Sequence, residues 1–179
     1  SRKSFEIVRE IIKEGIVISN LSGFSNAEDA KKAVDLLNAD AIQIHLNPAQ
    51  ELVQIEGERN FCGILKNIEE IVKKSEVPVI VKEVGFGMSK KTVKTLYDIG
   101  VRNVDVSGYG GSNFFEIENL RDPNADISDL FSWGIPTALS LIEADRLKLK
   151  DLYIISAGGV KNSMDIVKSL AAGASMTAI

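Results

Sequence analysis

The sequence predicts an α/β protein, a (β/α)8 TIM barrel with about six of the eight strands visible in the chain. Three observations point there. Short β-branched runs alternate with longer amphipathic ones along the whole chain, the pattern of βα units that feed a parallel sheet. A weak repeat closes several units alike: "LYDIGVRNVDV" and "LAAGASMTAI" each stop a helix at glycine and enter a strand, and "LLNADAIQI" does so with alanine in glycine's place. Polar residues gather at the C-terminal end of nearly every strand, where a barrel assembles its site. They are Asn20, His45 with Asn47, Lys82 with Glu83, Ser107, and Ser156 with Gly158 and Gly159. A doubly wound open sheet uses similar units and is the alternative architecture.

The strands are expected at 16–20, 41–46, 79–83, 103–107, 153–156 and 175–179, and the helices between them at 26–37, 64–74, 89–99, 135–147 and 163–172. Ser89 and Ser163 are placed to cap helix N-termini, while Gly100 and Gly173 fall where C-terminal glycines belong. Residues 1–179 read as a single barrel domain that is incomplete. The chain opens in a helix before the barrel's third strand and stops inside its eighth, so further sequence is expected on both sides.

With 179 residues, 45% of them apolar, the chain can bury a real core. Lys and Arg number 21 against 25 Asp and Glu, a net charge of −4 scattered along the sequence, which argues against nucleic acid or a membrane surface as the main partner. The longest apolar runs fall far short of the roughly 20 residues that a spanning helix needs. The N-terminus "SRKSFEIVRE" is charged and has no apolar signal core. A single cysteine, Cys62, is read as a small buried side chain; it fits a reducing, cytoplasmic setting.

The stretch "VIVKEVGFG" carries the sharpest chemical signal. Lys82 ends a run whose β-branched residues predict burial, and a lysine there needs an anion or a dipole to meet it. It can serve as half of an ion pair, as a Schiff-base lysine, or as a cation facing negative charge on a bound ring or phosphate. Gly85 and Gly87 tilt the choice towards a ligand, because glycines beyond a strand let backbone approach one closely.

"HLNPAQE" sets His45, Asn47, Gln50 and Glu51 within seven residues as a strand turns into a loop. A lone histidine is more often structural than catalytic, but this group reads as a polar ligand site. Glu51 is a candidate for Mg²⁺, for which one carboxylate suffices when phosphates and water complete the shell. The following "EGER" reads as a solvated loop. "SGYGGSNF" and "SAGGV" are glycine-rich loops after strands; each could be a tight turn, and together they point to backbone N–H groups that hold a phosphate. "FFEIENLRD" reads as surface charge, Trp133 as a core aromatic, and "DPNADISDL" as a mobile loop over the site.

Taken in order, "IHLNPAQE", "EGERNF", "PVIVKEVGFGMS", "SGYGGSNFFEIENLR", "WGIPTA" and "SAGGV" closely resemble the type 2 isopentenyl diphosphate isomerases, a family of FMN-dependent (β/α)8 barrels. The likeness runs from about residue 16 to residue 173. It implies interconversion of isopentenyl and dimethylallyl diphosphate with reduced FMN and Mg²⁺, the flavin acting as acid and base, NADPH as reductant, and a homo-oligomer of four or more subunits. By the same resemblance Gln50, His45 and Lys82 are catalytic. Asn20, Lys82, Ser107, Ser112, Gly158 and Gly159 bind the flavin. His45, Asn47, Gln50 and Glu118 bind substrate, Glu51 binds the metal, and Trp133 packs near the site. Ser112 stands where the family commonly has threonine, and "SAGGV" where Ser-Gly-Gly-Val is common. The rivals are an FMN-dependent 2-hydroxy-acid oxidoreductase of the same barrel type, a class-I aldolase using Lys82, and a non-catalytic flavin-binding barrel fragment.

Overall fold

The computed structural model describes residues 2–122, 124 and 126–179. Six strands form one parallel sheet: β1 (Ile18–Ser22), β2 (Ala41–Leu46), β3 (Val79–Glu83), β4 (Asn103–Asp105), β5 (Tyr153–Ser156) and β6 (Met176–Thr177). Their spatial order is their order in sequence, β1-β2-β3-β4-β5-β6. A doubly wound sheet reverses its strand order at a switch point; this one never does, and winding in one direction is how a barrel wall is built. The fold is α/β, six strands of a (β/α)8 barrel.

Eight helices accompany the strands among the described residues: α1 (Arg2–Ile11), α2 (Ala27–Leu37), α3 (Pro48–Val53), α4 (Ile64–Lys74), α5 (Lys90–Asp98), α6 (Phe114–Arg121), α7 (Thr137–Asp145) and α8 (Ser163–Ala171). None of the described helices is long and apolar enough to cross a membrane.

Alternation along the strands sorts side chains between two faces. Ile42 and Ile44, Val79 and Val81, Val104 and Ile154 share one face by register, and they pack with Ala30, Ile68, Ile71, Val93, Leu96, Leu141 and Ala144 from the helices. Gln43, His45, Lys82 and Asp105 therefore point to the opposite face, the barrel interior. A second, smaller apolar cluster lies beyond the strand ends, where Phe86 packs on Phe115 with ring centroids 4.5 Å apart and Trp133 leans on both rings. Trp133 is 54% exposed, a lid on this cluster rather than the core aromatic expected.

Several expectations shift for identifiable reasons. β1 begins at Ile18, opposite Ala41, and runs to Ser22, two residues later than expected, because the ladder with β2 sets its register. β4 stops at Asp105, short of residue 107, because Ser107 takes φ +23° and turns its N–H onto Asp105 Oδ1. Ser89 caps α5 by accepting from Thr92 N, but α8 is capped by Asn162 and not by Ser163. Gly100 and Gly173 adopt positive φ after their helices, and in "LLNADAIQI" the left-handed residue is Asn38 at φ +46°, not alanine. Cys62 is exposed, in the turn leading to α4 where its N–H is held by Asn60 Oδ1. "FFEIENLRD" is a helix, with Phe115 and Glu118 buried. The loop expected at 122–130 includes Pro123 and Ala125, which lie outside the described residues; Ser128–Leu130 forms a single 3₁₀ turn.

Candidate active site

Two adjoining cavities open at the C-terminal ends of the strands. The first, about 310 Å³, is lined by Asn20, Gln43, His45, Asn47, Gln50 and Lys82. The second, about 280 Å³, is lined by Gly85, Ser107, Gly111, Ser112, Gly158, Gly159 and Val160. Val84 and Phe114 belong to both walls, so the cavities are neighbours. Lys82 links them, donating from Nζ to Glu83 O at 2.7 Å and reaching Ser107 Oγ at 3.4 Å.

"Lys-Glu" at the end of β3 divides into two tasks because successive residues point to opposite faces. Lys82 enters the cavities. Glu83, 7% exposed, faces away and folds back over the loop, its Oε2 accepting from the backbone N–H of Val84, Gly85 and Phe86 at 2.7, 2.9 and 2.6 Å. Burial lifts its carboxyl above the ordinary range, and those N–H groups work against the rise. The loop so fixed donates Gly87 N to Ser107 O and accepts at Phe86 O from Ile135 N. Gly87, at φ +78°, is needed for a close approach to the protein itself: a Cβ there would sit 2.5 Å from Ile135 O. Gly85 alone of the two lines a cavity.

On β2, His45 Nδ1 lies 3.2 Å from Asn20 Nδ2. With the amide as donor, Nδ1 keeps its lone pair and Nε2 carries the proton. Burial, and after it the Lys82 charge, hold the imidazole below its ordinary pKa, while Glu51 pulls the other way. "NPAQE" does not continue as a loop. Pro48 opens α3, where its missing N–H costs nothing. The helix carries Gln50 to the cavity wall and sets Glu51 one residue on, behind Asn47, whose Nδ2 donates to Glu51 Oε1 at 2.8 Å. Glu51 Oε2 accepts from Glu58 N at 2.7 Å, so "EGER" is a tether to α3 rather than a free loop. Gln50 Nε2 donates to Glu118 Oε1 at 3.0 Å, and Arg121 donates to Glu118 Oε2 at 2.6 Å. Arg121 also holds Glu56 and, together with Gln54, brings its carboxyl down to about 2.

Of the expected site residues, Asn20, His45, Asn47, Gln50 and Lys82 line the first cavity, and Ser107, Ser112, Gly158 and Gly159 the second. Glu51 and Glu118 stand one side chain back, reached through Asn47 and Gln50. Gln43, Asp105 and Arg121 take part in this assembly without having been singled out. Alternation could have found the first two, since residue 43 shares a face with 45 on β2, and 105 shares one with 107 in the strand expected at 103–107.

The glycine loops meet each other. A Cβ on Gly159, at φ +81°, would lie 2.6 Å from Gly110 O, and one on Gly158 would lie 2.3 Å from Gly108 O. The N–H groups of Gly158, Gly159 and Val160 have no acceptor among the described residues, a run of donors beside a cavity that suits an anion. The family model of the FMN-dependent dehydrogenases matches residues 45–179, which takes in the whole lining of the second cavity and that of the first except Asn20 and Gln43. The chain belongs to the FMN-dependent dehydrogenase family.

Curated relatives of this family member include the isopentenyl-diphosphate delta-isomerase of Geobacillus sp. (strain WCH70), 50% identical over 97% of this chain and 49% of that protein. That of Bacillus licheniformis is 49% identical over 97% of this chain and 49% of its own length, and that of Listeria welshimeri 48% identical over 96% and 48%. The resemblance to the isopentenyl diphosphate isomerases is thus borne out. The chain spans about half the length of the curated relatives it matches.

The residues present fit a flavin mononucleotide. The free N–H groups at 158–160 suit its phosphate, and Lys82, Ser107 and Ser112 offer a cation and hydroxyls where a ring would lie. No cluster of three or more metal-ligating side chains occurs among the described residues. Glu51 retains lone pairs beyond its two hydrogen bonds, which fits Mg²⁺ held by one carboxylate, substrate oxygens and water.

Proposed function

We propose that this protein interconverts isopentenyl and dimethylallyl diphosphate, using FMN reduced by NADPH and Mg²⁺, in the cytoplasm and as a homo-oligomer. The observation that carries the reading is the continuity of the two cavities through Lys82: a polar wall suited to a diphosphate adjoins a glycine-cradled pocket suited to FMN.

Reduced FMN would supply an electron-rich ring able to give and take a proton. Lys82 places its ammonium between the cavities and favours the anionic form of that ring. His45, kept neutral by burial, presents Nε2–H as a donor to substrate oxygens. Gln50, anchored to Glu118, is held in one orientation at the wall of the first cavity, beside the substrate. Asn47 steadies Glu51, the metal ligand.

The test is the visible spectrum of the purified protein after loading with FMN and removing the excess, then anaerobic reduction and incubation with isopentenyl diphosphate and Mg²⁺. Retained flavin with formation of the dimethylallyl isomer is the expected result. Retained flavin with no isomer, and with bleaching by 2-hydroxy acids instead, would establish the oxidoreductase reading.

A further inference from the structure

Asp105 has no place in the chemistry above, yet it is the one carboxylate on the inner face of β4, and it is 4% exposed. It stands directly opposite Lys82 in the β3–β4 ladder, so both side chains leave the sheet on the same side. The two charges are joined through Ser107: Lys82 Nζ lies 3.4 Å from Ser107 Oγ, and Ser107 donates to Asp105 Oδ1 from Oγ at 2.9 Å and from N at 3.1 Å. Ser107 has one hydroxyl proton, and Asp105 takes it. The hydroxyl oxygen is left as an acceptor for Lys82. The left-handed backbone at Ser107, φ +23°, is what folds its N–H back onto the same carboxylate.

From this chain of contacts we propose that Asp105 is a positioning residue for Lys82. Through Ser107 it fixes where the ammonium sits, and its charge offsets that ammonium, so Asp105 limits how strongly the pocket prefers reduced, anionic flavin over oxidised flavin. The inference rests on the reading of the second cavity as an FMN site. A buried carboxylate beside the lysine is otherwise unexplained, because burial raises the carboxyl of Asp105 above its ordinary range and only Lys82 and Ser107 counter it.

The test measures the dissociation constants of oxidised and reduced FMN, the latter anaerobically, for the FMN-depleted wild type, D105N and S107A. D105N keeps an acceptor for Ser107 and removes the charge. It should raise the ratio of the oxidised to the reduced constant by a factor on the order of ten. S107A removes the spacer and lets Asp105 draw Lys82 away, so the ratio should fall below that of the wild type. Opposite shifts in the two variants support the proposal, and this sign pattern is something a purely structural role would not produce. Unchanged ratios in variants that still bind both forms overturn it. If D105N does not fold, an S107A ratio equal to or above the wild-type value overturns it alone. Failure of the wild type itself to bind FMN would instead sink the FMN reading, and this inference with it.

Discussion

His45 and Lys82 are register partners on β2 and β3, and both side chains enter the same cavity. Their proximity sets the protonation of the histidine. Burial first and the lysine charge second lower its pKa below the ordinary 6.5, and Glu51 only partly opposes them.

The consequence is a pH dependence of known sign. A group whose folded pKa lies below its unfolded one binds more protons when unfolded, so its share of stability is present above about 6.5 and is lost as pH falls through the folded value. Melting temperatures of the wild type should decline from pH 7 to pH 5, with a shallower decline in His45→Asn. Glu83 and Asp105 have raised pKa values and act in the reverse sense, losing stability as pH rises through their folded values. A His45→Asn profile parallel to the wild type would show that the imidazole is not held neutral by its surroundings.

Glu118 ties α6 to α3. It is 5% exposed and bound by Gln50 and Arg121, so Glu118→Ala leaves Gln50 Nε2 without its acceptor and Arg121 with Glu56 alone. Removing one member of a buried pair costs about 3–5 kcal/mol, but Arg121 is half-exposed and solvent screens it, so about 1–3 kcal/mol is expected. Urea unfolding measures this directly. A loss below about 0.5 kcal/mol would mean that the network does not hold the two helices together.

Much of this was legible beforehand, and the exceptions share a cause. β2, β3, β5 and α4 appear within the expected bounds because their period is unbroken and their ends carry turn or cap residues. α3 escaped because Pro48 is a turn signal in isolation and becomes a helix N1 residue only once Asn47 has left the strand. α6 escaped because "FFEIENLR" has apolar residues all round, and its buried Glu118 is tolerable only through Gln50, 68 positions earlier, and Arg121. The Lys82–Ser107–Asp105 chain was hidden for the same reason. Each residue is ordinary in its own segment, and only the register of β3 and β4 brings them together.

Glu51→Gln should separate metal from flavin. Glutamine can accept from Glu58 N through Oε1 and donate from Nε2 to Asn47 once the Asn47 amide turns over, so α3 keeps both links, while the charge proposed to recruit Mg²⁺ is gone. Flavin retention should stay as in the wild type, and Mg²⁺-dependent isomer formation should fall by at least about a hundredfold. Full activity in this variant would move the metal elsewhere.

Ser19 offers a test of the barrel wall alone. Its hydroxyl is buried, 1% exposed, and is the one buried side-chain polar atom without a partner among the described residues. Removing an unsatisfied hydroxyl relieves its desolvation penalty, so Ser19→Ala should be neutral or stabilising by up to about 1 kcal/mol. A clear loss in the urea midpoint would mean that the oxygen does have a partner.

Gly159→Ala addresses the contact between the two glycine loops. Alanine at φ +81° carries left-handed strain of about 1–2 kcal/mol, and its Cβ would press to 2.6 Å from Gly110 O, a backbone atom that cannot rotate away. The two loops must then part, and the N–H groups at 158–160 lose their alignment beside the second cavity. The global fold should survive, because the core of isoleucine, valine and leucine lies on the other face of the sheet. Circular dichroism like that of the wild type, with FMN affinity reduced at least about tenfold, is therefore the expected outcome. Equal FMN affinity in a folded Gly159→Ala protein would remove the glycine cradle from the phosphate site and leave Lys82, Ser107 and Ser112 as the groups that carry the flavin.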